Sequence, residues 1–188
     1  LRAARFSAQL GFGIEEGTLA AIADLRQTLT IVSPERIQAE LVRLLQSADP
    51  VRGIRVLVDT GLIDEFLPEV SALRLEIDEH HHHKDVYEHS LTALEQAIAL
   101  ERERHPDEPA DAILRLAVLL HDIGKPRTRR LEPGGAVSFH HHDVVGSRLA
   151  RKRLQALRFD KESTEAVAEL IGLHLRFFGY AEGAWTDS

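Results

Sequence analysis

This sequence predicts an all-α fold, and three observations carry that expectation. Apolar residues recur at spacings of three and four almost throughout, which is the helical period. Helix punctuation such as Gly11, Ser33-Pro34 and Gly124-Lys125-Pro126 brackets the periodic runs. A turn between two short flanks is offered at one place, Pro133-Gly134-Gly135, as a short β-hairpin or loop insertion. With 188 residues, 44% of them hydrophobic, the chain makes one or two domains and buries roughly two-thirds of its unfolded surface.

Taken in order, the first helix runs to Leu10 and stops at Gly11-Phe12-Gly13; a second follows Gly17. The third has Ser33 as N-cap, Pro34 at the first helical position, and Ile37, Leu41, Leu44 and Leu45 on one face. A short helix over Ile54–Val58 leads to Gly61-Leu62-Ile63 and a stop at Leu67-Pro68-Glu69. The segment from Asp78 to Asp85, with four consecutive His, has no apolar period and reads as a linker or loop. We therefore expect one region over 1–75 and a second over 76–188. Tyr87–Arg104 predicts a long amphipathic helix, and Ala112–Leu120, apolar almost all round, a central buried one that ends at Gly124 and Pro126. Helices follow at about 143–157 and 161–176.

The absence of Cys excludes a disulfide frame, a thiolate zinc site and a cysteine nucleophile. No apolar run approaches a membrane span, and no signal-peptide pattern opens the chain, so we expect a cytoplasmic protein. The chain has no Met, opens inside a helical pattern and stops abruptly at Trp185-Thr186-Asp187-Ser188, so we expect a piece of a longer chain. Net charge is −7, yet the stretch from Lys125 to Lys161 holds ten Lys and Arg against three acids. A basic stretch in an acidic chain is either a phosphate-facing surface or a solvated helix face. Its cations include Arg127, Arg129, Arg130, Arg148, Arg151, Lys152 and Arg153.

Eleven His are present, and His121-Asp122 ends the most apolar helix of the chain. Burying an imidazole and a carboxylate there is costly unless something compensates, and a cation at the negative end of the helix dipole does so. A buried His–Asp hydrogen bond that orients a turn is the alternative.

His89, then His121-Asp122-Ile123-Gly124-Lys125, then Phe139-His140-His141-His142-Asp143, then His174 together resemble the HD-domain family. The resemblance implies an all-helical fold with one or two divalent metals on His and Asp, and in many members hydrolysis of phosphate esters. It assigns His89, His121 and Asp122 as metal ligands, His142 and His174 as the further histidines of two-metal members, and Asp187 as the family's final Asp. A mixed His/carboxylate set suits Mn, Fe, Co, Ni or Zn, with Mg admitted, better than Ca. Such a metal activates water and neutralises a phosphoryl oxygen, with Lys125 a candidate phosphate holder or simply a charge at a helix end.

Three further segments narrow the resemblance. Leu1-Arg2-Ala3-Ala4-Arg5-Phe6, the neck-like Ser33-Pro34-Glu35-Arg36-Ile37-Gln38-Ala39-Glu40, and Gly61-Leu62-Ile63 with Leu67-Pro68-Glu69 are similar to bacterial CCA-adding tRNA nucleotidyltransferases and poly(A) polymerases. The actinobacterial branch fits best. The resemblance implies a parent that extends tRNA 3′ ends with CTP and ATP, using Mg in a catalytic head of which this chain shows no Asp-x-Asp pair. Arg2 and Arg5 then support the nucleotide pocket, and Glu35, Arg36 and Glu40 brace it. The HD part implies phosphohydrolase activity on 2′,3′-cyclic phosphates, 2′-nucleotides or terminal phosphates. A free-standing HD phosphohydrolase acting on nucleotides and a non-catalytic tRNA-binding module are the two alternatives.

Overall fold

The computed structural model describes residues 1–75, 85–135 and 137–177, and their regular structure is helical apart from one two-stranded hairpin. Helix α1 (Arg2–Leu10) ends where Gly11 adopts φ 70 and its N–H donates to the Ser7 carbonyl. A glycine enters that left-handed conformation without the penalty a Cβ brings, so the predicted stop holds. Helix α2 (Glu16–Leu25) starts one residue before Gly17, because the Glu15 carboxylate accepts the N–H groups of Gly17 and Thr18. A 3-10 stretch over Arg26–Ile31 follows, and α3 (Pro34–Leu45) then buries the four residues predicted for its inner face.

Two helix starts differ from expectation. Helix α4 runs over Pro50–Asp59, longer than the predicted 54–58, with Asp49 accepting the Arg52 N–H and Pro50 at its first turn. Pro68, read as a stop, opens a short helix α5 (Pro68–Ser71). In both places the missing N–H of proline falls where a helix has no use for one, so the residue starts a helix instead of ending it.

The predicted linker lies almost wholly in 76–84, outside the described residues. Helix α6 (Val86–Arg104) begins at the N-cap Asp85, and α7 (Ala112–Leu120) at Asp111, whose carboxylate accepts the Ile113 and Leu114 N–H groups. Leu116, Leu119 and Leu120 of α7 are fully buried, each contributing about 1.5–3 kcal/mol of transfer free energy. The turn after α7 leads into α8 (Lys125–Thr128), which begins where the sequence suggested only an end. The hairpin pairs β1 (Arg130–Leu131) with β2 (Val137–Ser138), antiparallel, with Arg130 opposite Ser138. Helices α9 (His142–Ala156) and α10 (Lys161–Leu173) pack on each other, and α10 also packs on α7.

One hydrophobic core runs from α1, α3 and α4 through α6 and α7 to α9 and α10. At its centre the buried Arg115 of α7 donates from Nε to Glu101 of α6 at 2.7 Å and from Nη1 to the Leu45 and Ser47 carbonyls at 2.7 and 3.1 Å. One guanidinium thus caps the end of α3 and ties it to the helices that carry the candidate site.

Candidate metal centre

The apolar face of α7 drives that helix into the core, and its last turn delivers His121 and Asp122 to the end of the bundle. Asp122 is 1% exposed. Four imidazoles from four elements surround its carboxylate. His121 Nε2 lies 3.2 Å and His89 Nε2, from the first turn of α6, 3.9 Å from Oδ2. His142 Nε2, at the start of α9, lies 3.2 Å and His174 Nε2, just after α10, 3.8 Å from Oδ1. Lys125 Nζ donates to Oδ2 at 2.7 Å.

Three of the four rings are fixed in the same way. His121 Nδ1 donates to the Val118 carbonyl at 2.7 Å, His142 Nδ1 to Phe139 at 2.8 Å, and His174 Nδ1 to Ile171 at 2.6 Å. A carbonyl oxygen only accepts, so each Nδ1 carries a hydrogen, and in a neutral ring the Nε2 lone pair then points at the centre. His142 Nε2 and His174 Nε2 face each other at 3.2 Å. Two lone pairs cannot be neighbours at that distance, nor can two N–H groups, so a proton or a cation must lie between them. Burial pushes the His174 imidazolium towards the neutral form, outweighing the Ile171 carbonyl, and nearby His121 adds to the effect. Burial also pushes the Asp122 carboxyl up, but hydrogen bonds from His121 and His142 when those rings are protonated at both nitrogens, and from Lys125, outweigh it and hold the group well below the usual carboxylate range.

An ionised carboxylate shared by neutral imidazoles whose far nitrogens are held by backbone carbonyls is a donor set that a divalent cation satisfies. Two such groups share Asp122: His89 and His121 on one side, His142 and His174 on the other, the donor atoms of each lying within 4.8 Å of one another. The residues present fit a divalent metal, with Asp122 between the two halves.

Backbone packing sets the spacing of those halves. A Cβ at Gly124 would stand 2.0 Å from the His142 carbonyl oxygen and 2.8 Å from the Gly146 nitrogen, so the turn after Asp122 meets the first turn of α9 backbone to backbone. His141 adopts φ 59 immediately before His142 and turns the chain into α9. Sequence reasoning missed both glycines as site determinants, although Gly146 inside a helical run was a visible signal of close approach. It also missed the carbonyls that fix the rings, which no side-chain pattern reveals.

The other candidate residues are dispersed. Arg5 is buried and pairs with Glu40 at 2.8 Å, while its guanidinium and that of Arg2 lie over the Phe6 ring, at 4.2 and 5.7 Å. Glu35 and Arg36 are exposed, with Glu35 3.9 Å from Arg158. Arg151 is paired with Glu165 and Arg153 with Glu69, each at under 3 Å. Arg127, Arg129, Arg130, Arg148 and Lys152 are exposed. Asp187 and the four consecutive His at 80–83 lie outside the described residues.

Residues 86–185, more than half of the chain, match the HD-domain family model. The chain belongs to the HD-domain family. Members bind divalent metals, and the His/Asp cluster described above could hold one. In front of the HD domain, residues 11–73 match a family described as the probable RNA and SrmB-binding site of polymerase A. An A-adding tRNA nucleotidyltransferase of Deinococcus radiodurans is 41% identical over 180 residues, covering 93% of this chain and 40% of the relative. A CC-adding tRNA nucleotidyltransferase of Thermus thermophilus is 38% identical over 184 residues, again covering 93% and 40%. A multifunctional CCA protein of Pseudomonas aeruginosa is 34% identical over 179 residues, covering 92% and 41%. A neck and body followed by an HD domain is consistent with the CCA-adding tRNA nucleotidyltransferase family. The chain spans about 40% of the length of these curated relatives. Among the described residues, no helix is long and apolar enough to cross a membrane.

Proposed function

We propose that this chain is the neck, body and HD portion of a cytoplasmic tRNA nucleotidyltransferase, and that its HD site is a metal-dependent phosphohydrolase. The convergence of four imidazole Nε2 atoms on the buried Asp122 carboxylate carries the second part. His89, His121, Asp122, His142 and His174 would hold the ion, with Asp187 as a further candidate. When bound, a divalent ion of the Mn, Fe, Co, Ni or Zn kind, or Mg, supplies Lewis acidity and an activated water. The backbone carbonyls of Val118, Phe139 and Ile171 hold the rings in the binding tautomer. Lys125, whose ammonium already faces the same carboxylate, is assigned to a phosphoryl oxygen of the substrate. The substrates that fit are phosphate esters of the kind an RNA 3′ end presents: 2′,3′-cyclic phosphates, 2′-nucleotides and terminal phosphates.

The region 1–75 supplies the neck and body, and 76–188 the HD part. In the parent, the Arg5–Glu40 pair and Arg2 stacked on Phe6 stiffen the neck beneath a nucleotide pocket that takes CTP and ATP with Mg, while Glu35 and Arg36 remain available to it. The names of the relatives support tRNA as the macromolecular partner. The surface we assign to tRNA is the exposed set Arg127, Arg129, Arg130, Arg148 and Lys152; Arg151 and Arg153 of the same basic stretch are occupied by carboxylates. That cationic set also favours a second reading, in which the HD fold binds tRNA without hydrolysis.

The deciding experiment is hydrolysis by the purified chain of 2′,3′-cyclic AMP, 2′-AMP and p-nitrophenyl phosphate, with Mn, Co, Ni or Mg added in turn. Metal-dependent turnover that is lost in His121→Ala and Asp122→Ala supports the phosphohydrolase. No turnover with any ion, in a chain that still binds tRNA, supports the second reading.

A further inference from the structure

The corner where α9 turns into α10 holds a cavity of about 330 Å³, lined by Gln155, Arg158, Phe159, Lys161, Thr164 and Glu165. It lies at the other end of both helices from His142 and His174, so it is separate from the metal centre. Thr164 is 1% exposed, and its hydroxyl has no hydrogen-bond partner among the described residues. A buried hydroxyl left unpaired costs free energy, which a ligand in the cavity would recover. Its neighbours are unengaged too. Among the described residues, the Gln155 amide and the Lys161 ammonium make no hydrogen bond, and the Arg158 guanidinium has only Glu35, at 3.9 Å. The acid in the wall, Glu165, is already neutralised by Arg151, which holds both its oxygens at 2.9 to 3.0 Å. What remains free is a set of groups that can all donate.

We infer that this corner binds a phosphate group, with Arg158 and Lys161 supplying charge and the Thr164 hydroxyl and Gln155 amide supplying further hydrogen bonds. Two cations match the charge of a phosphate ester, and its several oxygens can meet donors on more than one side, which a flat carboxylate cannot. Lys161 is the first residue of α10, so the positive end of that helix adjoins the cavity. Asp160 already accepts the Ser163 N–H, however, so the side chains make the site and the helix end only adds to it. Arg158 has φ 63 and closes α9, its N–H donating to Gln155 and that of Phe159 to Leu154. Glycine is the usual residue in that left-handed position, so here a guanidinium is carried at a conformational cost. The phosphate is either that of a small ester or one in an RNA backbone.

The test is titration calorimetry with inorganic phosphate, 5′-AMP and tRNA on the chain stripped of metal by EDTA, so that no ion at Asp122 takes the phosphate. Saturable phosphate binding should weaken about tenfold in Arg158→Gly and about three- to tenfold in Thr164→Val. Stability should move the other way. Glycine suits the left-handed backbone and valine removes an unpaired buried hydroxyl, so without ligand both variants should unfold at or above the parent Tm. If tRNA binding weakens in Arg158→Gly and phosphate competes with it, the RNA backbone is the source; if tRNA binding is unchanged while phosphate and 5′-AMP weaken, a small ester is. A parent chain that binds neither phosphate nor 5′-AMP, or variants that bind them as tightly as the parent, would overturn the inference. So would a loss of affinity accompanied by a lower Tm in both variants, which would mark the two residues as structural.

Discussion

Replacing Gly124 by Ala isolates what the metal centre requires of its backbone. Gly124 has φ −77 and ψ −23, ordinary right-handed helical values that alanine also adopts. On conformational grounds alone, the substitution should stabilise the protein by about 0.4–1 kcal/mol. The new Cβ, however, would stand 2.0 Å from the His142 carbonyl oxygen. Ordinary van der Waals contact begins at about 3.4 Å, so the start of α9 must withdraw by about 1.4 Å, and His142 with it. Ligand distances tolerate only about ±0.2 Å, so the half-site of His142 and His174 is lost while that of His89 and His121 remains. We expect Gly124→Ala to fall at least tenfold in Co affinity, read from the d–d absorption during titration, and to unfold at a lower temperature than the parent. Gly146→Ala, whose Cβ would meet Ile171 Cγ2 at 3.2 Å and the Gly124 nitrogen at 3.3 Å, should show the smaller effect on both. A Gly124→Ala protein that binds Co as tightly as the parent, with unchanged or higher Tm, would refute the claim that this close approach sets the site.

Four further outcomes follow from the same structure. Arg115→Ala removes the guanidinium that serves Glu101 and two carbonyls in the core, and chemical denaturation should show a loss of about 3–5 kcal/mol. Metal affinity should fall as the pH drops into the range where the His174 ring takes up a proton, which burial moves below the ordinary imidazole range, because a histidine must bind as a neutral ring. Asp122 stays ionised through that range, its pKa being held low, so isothermal titration at several pH values should find imidazole protonation, not carboxylate protonation, competing with the metal. Replacing Arg127, Arg129, Arg130, Arg148 and Lys152 together by Ala should weaken tRNA binding and flatten its salt dependence, by up to about 0.9 in slope for each phosphate no longer neutralised. The change Arg153→Ala should instead act mainly on stability, by leaving Glu69 without its guanidinium.

Much of the fold was legible because its signals are local. The left-handed Gly11, the Ser33-Pro34 start and the apolar run of α7 each act within one or two turns, and each stands where the sequence placed it. Pro68 was misread, and α4 was started too late at Ile54, because a proline is compatible with either side of a helix boundary, and the deciding partner, as with Asp49 before Pro50, sits just before it. At the site, residue chemistry singled out His121 and Asp122, since donors of that kind are rare at the end of an apolar helix, and the resemblance to HD domains added His89, His142 and His174, which the structure gathers around them. Their mutual geometry was not legible. It depends on Gly124 meeting α9 and on carbonyls three residues before each of three rings, neither of which any residue type announces. The basic stretch shows the same limit: Arg151 and Arg153 look alike in sequence to Lys152, but helices α10 and α5 supply carboxylates to the first two.

The central claim is that Asp122 and its four histidines hold a divalent ion, and elemental analysis of the purified chain tests it most directly. The protein should be prepared without a nickel column, because the consecutive His at 80–83 would take up nickel on their own account. We expect one or two equivalents of a transition metal per chain that survive dialysis, falling to none in both His121→Ala and Asp122→Ala. A parent chain that retains no metal after incubation with Mn, Co, Ni and Zn, or an Asp122→Ala variant that retains as much as the parent, would contradict the account.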